Sequence, residues 1–99
     1  MNRKNAKFIY NTFYCTQCGN KNYSIPRKLN SQREAGHLKE LYCPHCEKDI
    51  NHAECTEFGP YTFREFREEY NLGNFDKNGM RINQSWKSII NNERKVGIL

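Results

Sequence analysis

Apolar and polar residues alternate with a period of two in the first half of the chain and with a helical period in the second. Phe8-Ile-Tyr-Asn-Thr-Phe-Tyr14 predicts a strand with Phe8, Tyr10, Thr12 and Tyr14 on one face and Ile9 and Phe13 on the other. Its aromatics read as core, with base stacking as the alternative use. Lys21–Ile25 predicts a second strand halted at Pro26, with 27–29 continuing it or starting a loop, and the polar run 30–36, ending in Gly36, an excursion. His37–Tyr42 is a third strand and Asp49–Phe58 a returning fourth. In the fourth, Ile50, His52, Glu54, Thr56 and Phe58 share one face, and Asn51, Ala53, Cys55 and Glu57 the other. Gly59-Pro60 ends it.

Beyond Pro60 the period changes. Thr62 stands three before Glu65, a capping box. Phe63, Phe66 and Tyr70 then line one helical face, with Arg64, Glu65, Arg67, Glu68 and Glu69 expected toward solvent and an end before Gly73. Asn78-Gly79 marks a turn. Ser85 is expected to cap a second helix with Trp86, Ile89 and Ile90 as its apolar stripe and Lys87, Arg94 and Lys95 outward.

Only 36% of the 99 residues are hydrophobic and the mean hydropathy is −1.00, so a core of this size needs a staple. Two cysteine pairs offer one. Cys15-Thr-Gln-Cys18 and Cys43-Pro-His-Cys46 are separated by 24 residues. Two thiolates three positions apart curl toward one centre, and two such knuckles present the four sulfurs that tetrahedral zinc takes in a closed site. Disulfides would suit a secreted chain, but no signal peptide is visible; a redox pair needs one motif rather than two. Cys55 reads as a small buried residue. A second site built from His52 and Cys55, with His37 or His45, has no spacing logic, and His45 is expected to be exposed. The expected fold is a small, metal-stapled α+β domain. Residues 1–59 form a zinc ribbon of antiparallel strands with a loose basic N-terminal arm, holding one structural Zn2+ on Cys15, Cys18, Cys43 and Cys46. Residues 60–99 form a two-helix tail packed on it.

The net charge of +5 is unevenly placed. Residues 1–42 carry eight Lys/Arg against Glu34 and Glu40, whereas residues 43–99 carry eight against nine acids. Such asymmetry suits a polyanion. If the strands between the knuckles fold against each other, Lys21, Arg27, Lys28, Arg33, His37 and Lys39 gather at the far end and edge of the ribbon and contact the phosphates of DNA or RNA. A closed four-sulfur site leaves no position for substrate, and no phosphate loop, zinc-protease pair or nucleophile elbow is present, so an enzyme is not expected. No apolar run is long enough to span a bilayer, and a cytoplasmic location is expected.

The run Arg33-Glu-Ala-Gly-His-Leu-Lys-Glu-Leu-Tyr-Cys-Pro-His-Cys46, within residues 13–58, and the later Tyr70-Asn-Leu-Gly-Asn-Phe-Asp-Lys-Asn-Gly79 are similar to small zinc-ribbon proteins of bacteriophages that infect Gram-positive bacteria. That resemblance implies a zinc ribbon in the host bacterial cytoplasm, acting in nucleic-acid transactions or takeover of host machinery, with the four cysteines as the transferable residues. The first expectation is therefore a nucleic-acid-binding accessory or regulatory protein. The alternative is a module that docks on a host or viral enzyme, a polymerase or a defence complex, through Trp86, Ile89 and Ile90 or through the aromatic N-terminal strand.

Overall fold

A computed structural model describes residues 7–29 and 32–95. The basic arm expected at the N-terminus lies, up to residue 6, outside the described residues, as do Asn30 and Ser31. Four strands, β1 (Phe8–Cys15), β2 (Lys21–Lys28), β3 (Leu38–Cys43) and β4 (Lys48–Cys55), precede two helices, α1 (Phe63–Asn71) and α2 (Trp86–Lys95). The expected small α+β architecture is therefore present: one antiparallel four-stranded sheet and two helices.

The strand order is β2-β1-β4-β3. β1 and β4 pair in the centre through Thr12↔Cys55 to Cys15↔His52, and each carries an outer neighbour. The strands between the knuckles, β2 and β3, therefore do not pair as expected but occupy the two edges. A hairpin lets each knuckle join its own pair of neighbours, and the centre closes by joining the first strand to the last. The sheet curls enough for the Tyr23 hydroxyl on β2 to donate to the Tyr42 carbonyl on β3 at 2.6 Å. Of the two expectations for 27–29 the continuation holds as far as Lys28: β2 runs through Pro26 to Lys28 rather than stopping at the proline. It is an edge strand, where a missing N–H need not break a ladder.

Strand alternation sorts the side chains onto two faces. Ala53, Cys55, Tyr61 and Phe66 form a buried cluster on the helix-covered face, joined by Tyr14, Leu38, Phe75 and Trp86. α1 begins as its sequence suggests: the Thr62 N–H donates to Glu65 Oε1 at 3.0 Å, the reciprocal bond of a capping box. It ends at Asn71, and Gly73 turns the chain away at φ +73°. Phe66 is buried, but so is Glu69, which was expected toward solvent. Its carboxylate accepts from the Tyr61 hydroxyl at 2.7 Å, Asn74 Nδ2 at 2.5 Å and Arg81 Nε at 2.7 Å. Glu69 lies three residues after Phe66 and so shares its inward face; a guanidinium from the following loop makes burial tolerable. Arg94 likewise turns inward, pairing with Glu65 and Glu68 of α1.

The apolar stripe of α2 is spent inside the chain. Ile90 is 2% exposed, and Trp86 meets Tyr61 edge-on with centroids 4.8 Å apart. It is thus not a free docking face; of the two surfaces the alternative reading named, the aromatic strand is the exposed one, with Tyr10 67% open. The turn at Asn78-Gly79 closes with φ +80° at Gly79, and it seats on the first knuckle: Gln17 Nε2 donates to the Asp76 carbonyl at 2.6 Å, and the Tyr70 hydroxyl to the Gln17 carbonyl at 2.9 Å. The helical half thereby braces the cysteine-bearing end of the sheet.

Candidate metal centre

Both knuckles are built alike. Cys15 and Cys43 end β1 and β3, and each backbone then folds so that a residue four positions on donates back to it: Gly19 N–H to the Cys15 carbonyl at 2.8 Å, Glu47 N–H to the Cys43 carbonyl at 2.7 Å. The residue closing each turn is left-handed, with φ +78° at Gly19 and +59° at Glu47. A Cβ at Gly19 would stand 3.0 Å from Arg67 Nη1, the mobile end of its side chain, and 3.3 Å from the Tyr70 ring, so the left-handed φ is the stronger reason for glycine in the first knuckle. Glu47 takes the same conformation at a steric cost.

The four sulfurs of Cys15, Cys18, Cys43 and Cys46 all lie within 4.8 Å of one another, and this is the one such cluster among the described residues. Across the two knuckles, Cys15 Sγ is 3.8 Å from Cys46 Sγ and Cys18 Sγ is 3.6 Å from Cys43 Sγ. A tetrahedral ion with metal–sulfur bonds of about 2.3 Å requires sulfur–sulfur edges of about 3.8 Å. A disulfide would need about 2.05 Å. The donor set therefore fits a metal ion held by sulfur alone, and the five cysteines are free thiols.

The sulfurs are also supplied with N–H donors. Gln17 N–H reaches Cys15 Sγ at 3.3 Å and Cys46 N–H reaches Cys43 Sγ at 3.4 Å. Asn20 Nδ2 donates to Cys18 Sγ and Asn22 Nδ2 to Cys43 Sγ, each at 3.2 Å. Asn22 spends its other amide hydrogen on His52 Nε2 at 3.0 Å, while His52 Nδ1–H donates to the Ile50 carbonyl at 2.9 Å. The imidazole is thus a fixed neutral tautomer, and burial holds its pKa below the ordinary 6.5. Sequence reasoning missed both asparagines. Their signal was available: amide side chains two and four residues after Cys18, where the chain turns back past the sulfurs.

Burial shapes the thiols. It pushes Cys15 up to about 12 even though the Cys18 and Gln17 N–H groups pull the other way. At Cys43 burial also raises the pKa, but the donors from Cys46, Asn22, Cys18 and His45 outweigh it and bring the thiol from 9.0 to about 6. Burial raises Cys46 as well. The N–H donors around Cys43 favour its thiolate, and a divalent ion would ionise the remaining thiols and release protons.

Other sequence-predicted residues fall as follows. Cys55 is 1% exposed in the helix-side core, while His52 lies on the opposite face of β4, three positions away. An odd separation on a strand puts the two on different faces, so they form no second site. His45 is exposed, as expected. Of the six nucleic-acid candidates, Lys21, Lys28, Arg33 and Lys39 are exposed. They do not gather at one end. Lys21 and Lys28 mark opposite ends of β2, and Lys39 sits on the other edge strand. His37 is half-buried, and burial lowers its pKa. Arg27 is taken out of the set: it grips Glu54 with Nε at 2.9 Å and Nη2 at 3.2 Å and lies over the Phe13 ring.

No protein-family model matches the chain. No solved structure matches it. A stretch of 49 residues is 45% identical to the large ribosomal subunit protein bL33 of Petrotoga mobilis, covering 50% of this chain and 87% of that protein.

Proposed function

The chain belongs to the family of the large ribosomal subunit protein bL33, and on that premise we propose that it is a zinc ribbon that binds RNA on the large ribosomal subunit. The likeness to a ribosomal protein carries this reading and favours RNA over DNA. The match is 49 residues long, close to the length of the four-stranded sheet from Phe8 to Cys55. In this reading zinc holds the two knuckles, and its binding free energy is part of the folding free energy of a chain with few aliphatic residues. Lys21, Lys28, Arg33 and Lys39 neutralise phosphates, and the sheet supplies the rigid frame on which they stand. A binding role, without catalysis, agrees with a four-sulfur centre that has no open position.

The test is co-sedimentation of the zinc-loaded protein with salt-washed large ribosomal subunits, beside titration of ribosomal RNA and of duplex DNA between about 50 and 200 mM salt. Binding to the subunit and to RNA that weakens steeply with salt is expected. Reversing Lys21, Lys28, Arg33 and Lys39 together should abolish it. Absence of binding to both at low salt would overturn the proposal.

A further inference from the structure

The outer face of β1 is only half covered by the helices. At its knuckle end Tyr14 packs on Phe63 and Phe66, with centroids 4.8 and 5.2 Å away. Further along the same face α1 no longer reaches, and Tyr10 is 67% and Phe8 52% exposed. The neighbours opposite on β2 are Ser24, Pro26 and Lys28, of which the first two are too small to cover a ring. Where sheet and helix part, a groove of about 540 Å3 opens between Tyr10, Thr12, Tyr14 and Ser24 on one side and Phe63 and Arg64 on the other. Phe63 keeps 48% of its surface open.

An exposed aromatic tract of this extent on a chain so poor in apolar residues needs an occupant. Its charge says which. Lys7 and Lys28 stand exposed at the open end. Arg64 is exposed at the helical wall and only loosely engaged by Glu68, at 3.6 Å. Glu57 is the acid in the lining. The exposed rings of Tyr10 on the sheet wall and Phe63 on the helical wall can each take a base of an unstacked strand while the flanking cations take phosphates. A duplex buries its base faces and offers none to such a trench.

We propose that this groove between β1 and the start of α1 binds an unpaired RNA segment, with bases stacked on Tyr10 and Phe63 and a phosphate on Arg64. The proposal rests on the RNA reading above and deepens it. It assigns base contact to aromatic residues outside the basic set, and it gives the helical half a share in the site through Phe63 and Arg64.

The probe is a labelled oligouridine of about ten nucleotides, with duplex RNA of the same length as the comparison, read by fluorescence anisotropy. Tyr10→Ala should weaken the single strand about tenfold and the duplex by less than about twofold. Arg64→Ala should reduce the salt slope for the single strand by about 0.7. Phe63→Ala should act like Tyr10→Ala. Because Phe63 also packs on Tyr14 and Phe66, bound metal and thermal midpoint are recorded for each variant, and Tyr10→Ala, at an exposed position, decides if Phe63→Ala unfolds. Unchanged single-strand affinity in Tyr10→Ala, with RNA binding by the parent intact, overturns the groove and leaves the wider reading standing. Concentration-dependent self-association that Tyr10→Ala abolishes, with RNA binding unchanged, assigns the face to a second copy and also overturns it. Failure of the parent to bind any RNA removes both proposals.

Discussion

Asn22→Ala tests how the centre is supported. The amide gives one hydrogen to Cys43 Sγ at 3.2 Å and the other to buried His52 at 3.0 Å. A hydrogen bond to a charged acceptor contributes about 1.5–3 kcal/mol, and a buried group left without its partner costs about 1–3 kcal/mol. The His52 cost falls on the metal-free and metal-bound folds alike and largely cancels in affinity. Loss of the donor to Cys43 does not cancel, because it raises the thiol's pKa and the metal must then displace a proton that the parent gives up more readily. Metal affinity should therefore fall about 10- to 100-fold, as is typical for an outer-shell partner. The Cys43 thiol, now about 6, should titrate higher. Competition with a chromogenic chelator at neutral pH gives the affinity, and thiolate absorbance of the metal-free protein gives the titration. Asn20→Ala is the internal comparison. Asn20 donates to Cys18 at the same 3.2 Å but is exposed, and water can replace it; its loss should cost under about threefold. Equal effects at the two positions, or no effect at Asn22, would refute the reasoning.

Gly79→Ala should lower stability by about 2–4 kcal/mol, because alanine resists a left-handed backbone and its Cβ would stand 2.7 Å from Thr16 Oγ1 and 3.0 Å from Asn51 Cβ; chemical denaturation of the metal-loaded protein measures it. Arg81→Met leaves the Glu69 carboxylate buried without its cation and should cost about 3–5 kcal/mol in the same assay, whereas Arg64→Met, at an exposed pair, should cost under about 1 kcal/mol. Glu47→Gly relieves the left-handed turn at φ +59° and should leave stability unchanged or raise it by up to about 1 kcal/mol. His37 and His52 are both held below 6.5 by burial, so the unfolded chain binds protons that the fold refuses; their contribution is complete above pH 6.5 and is lost as pH falls through their lowered folded values, which metal-free denaturation against pH should trace.

Features set by short-range spacing were legible in the sequence. The cysteine pairs, the alternation of β1, the Thr62–Glu65 box and the stop at Gly73 each depend on residues within about one turn or one strand, and all appear where expected. Features that depend on a distant partner were not. Glu69 and Arg94 look like solvent-facing charges until Arg81 and the α1 carboxylates are brought beside them. Arg27 looks like a phosphate ligand until β4 delivers Glu54. The clustering expected of the basic residues rested on a β2–β3 pairing, which local pattern cannot distinguish from the observed β1–β4 centre because either satisfies the alternation. The support that Asn20 and Asn22 give the sulfurs went unread for a different reason: Asn20 reads as part of the turn and Asn22 as part of β2, and neither place needs a sulfur to explain an asparagine.

X-ray absorption at the zinc edge of protein purified under reducing conditions bears most directly on the centre. The account predicts one zinc per chain with four sulfur neighbours at about 2.3 Å. Less than one equivalent of metal, or a shell containing nitrogen or oxygen, would contradict it.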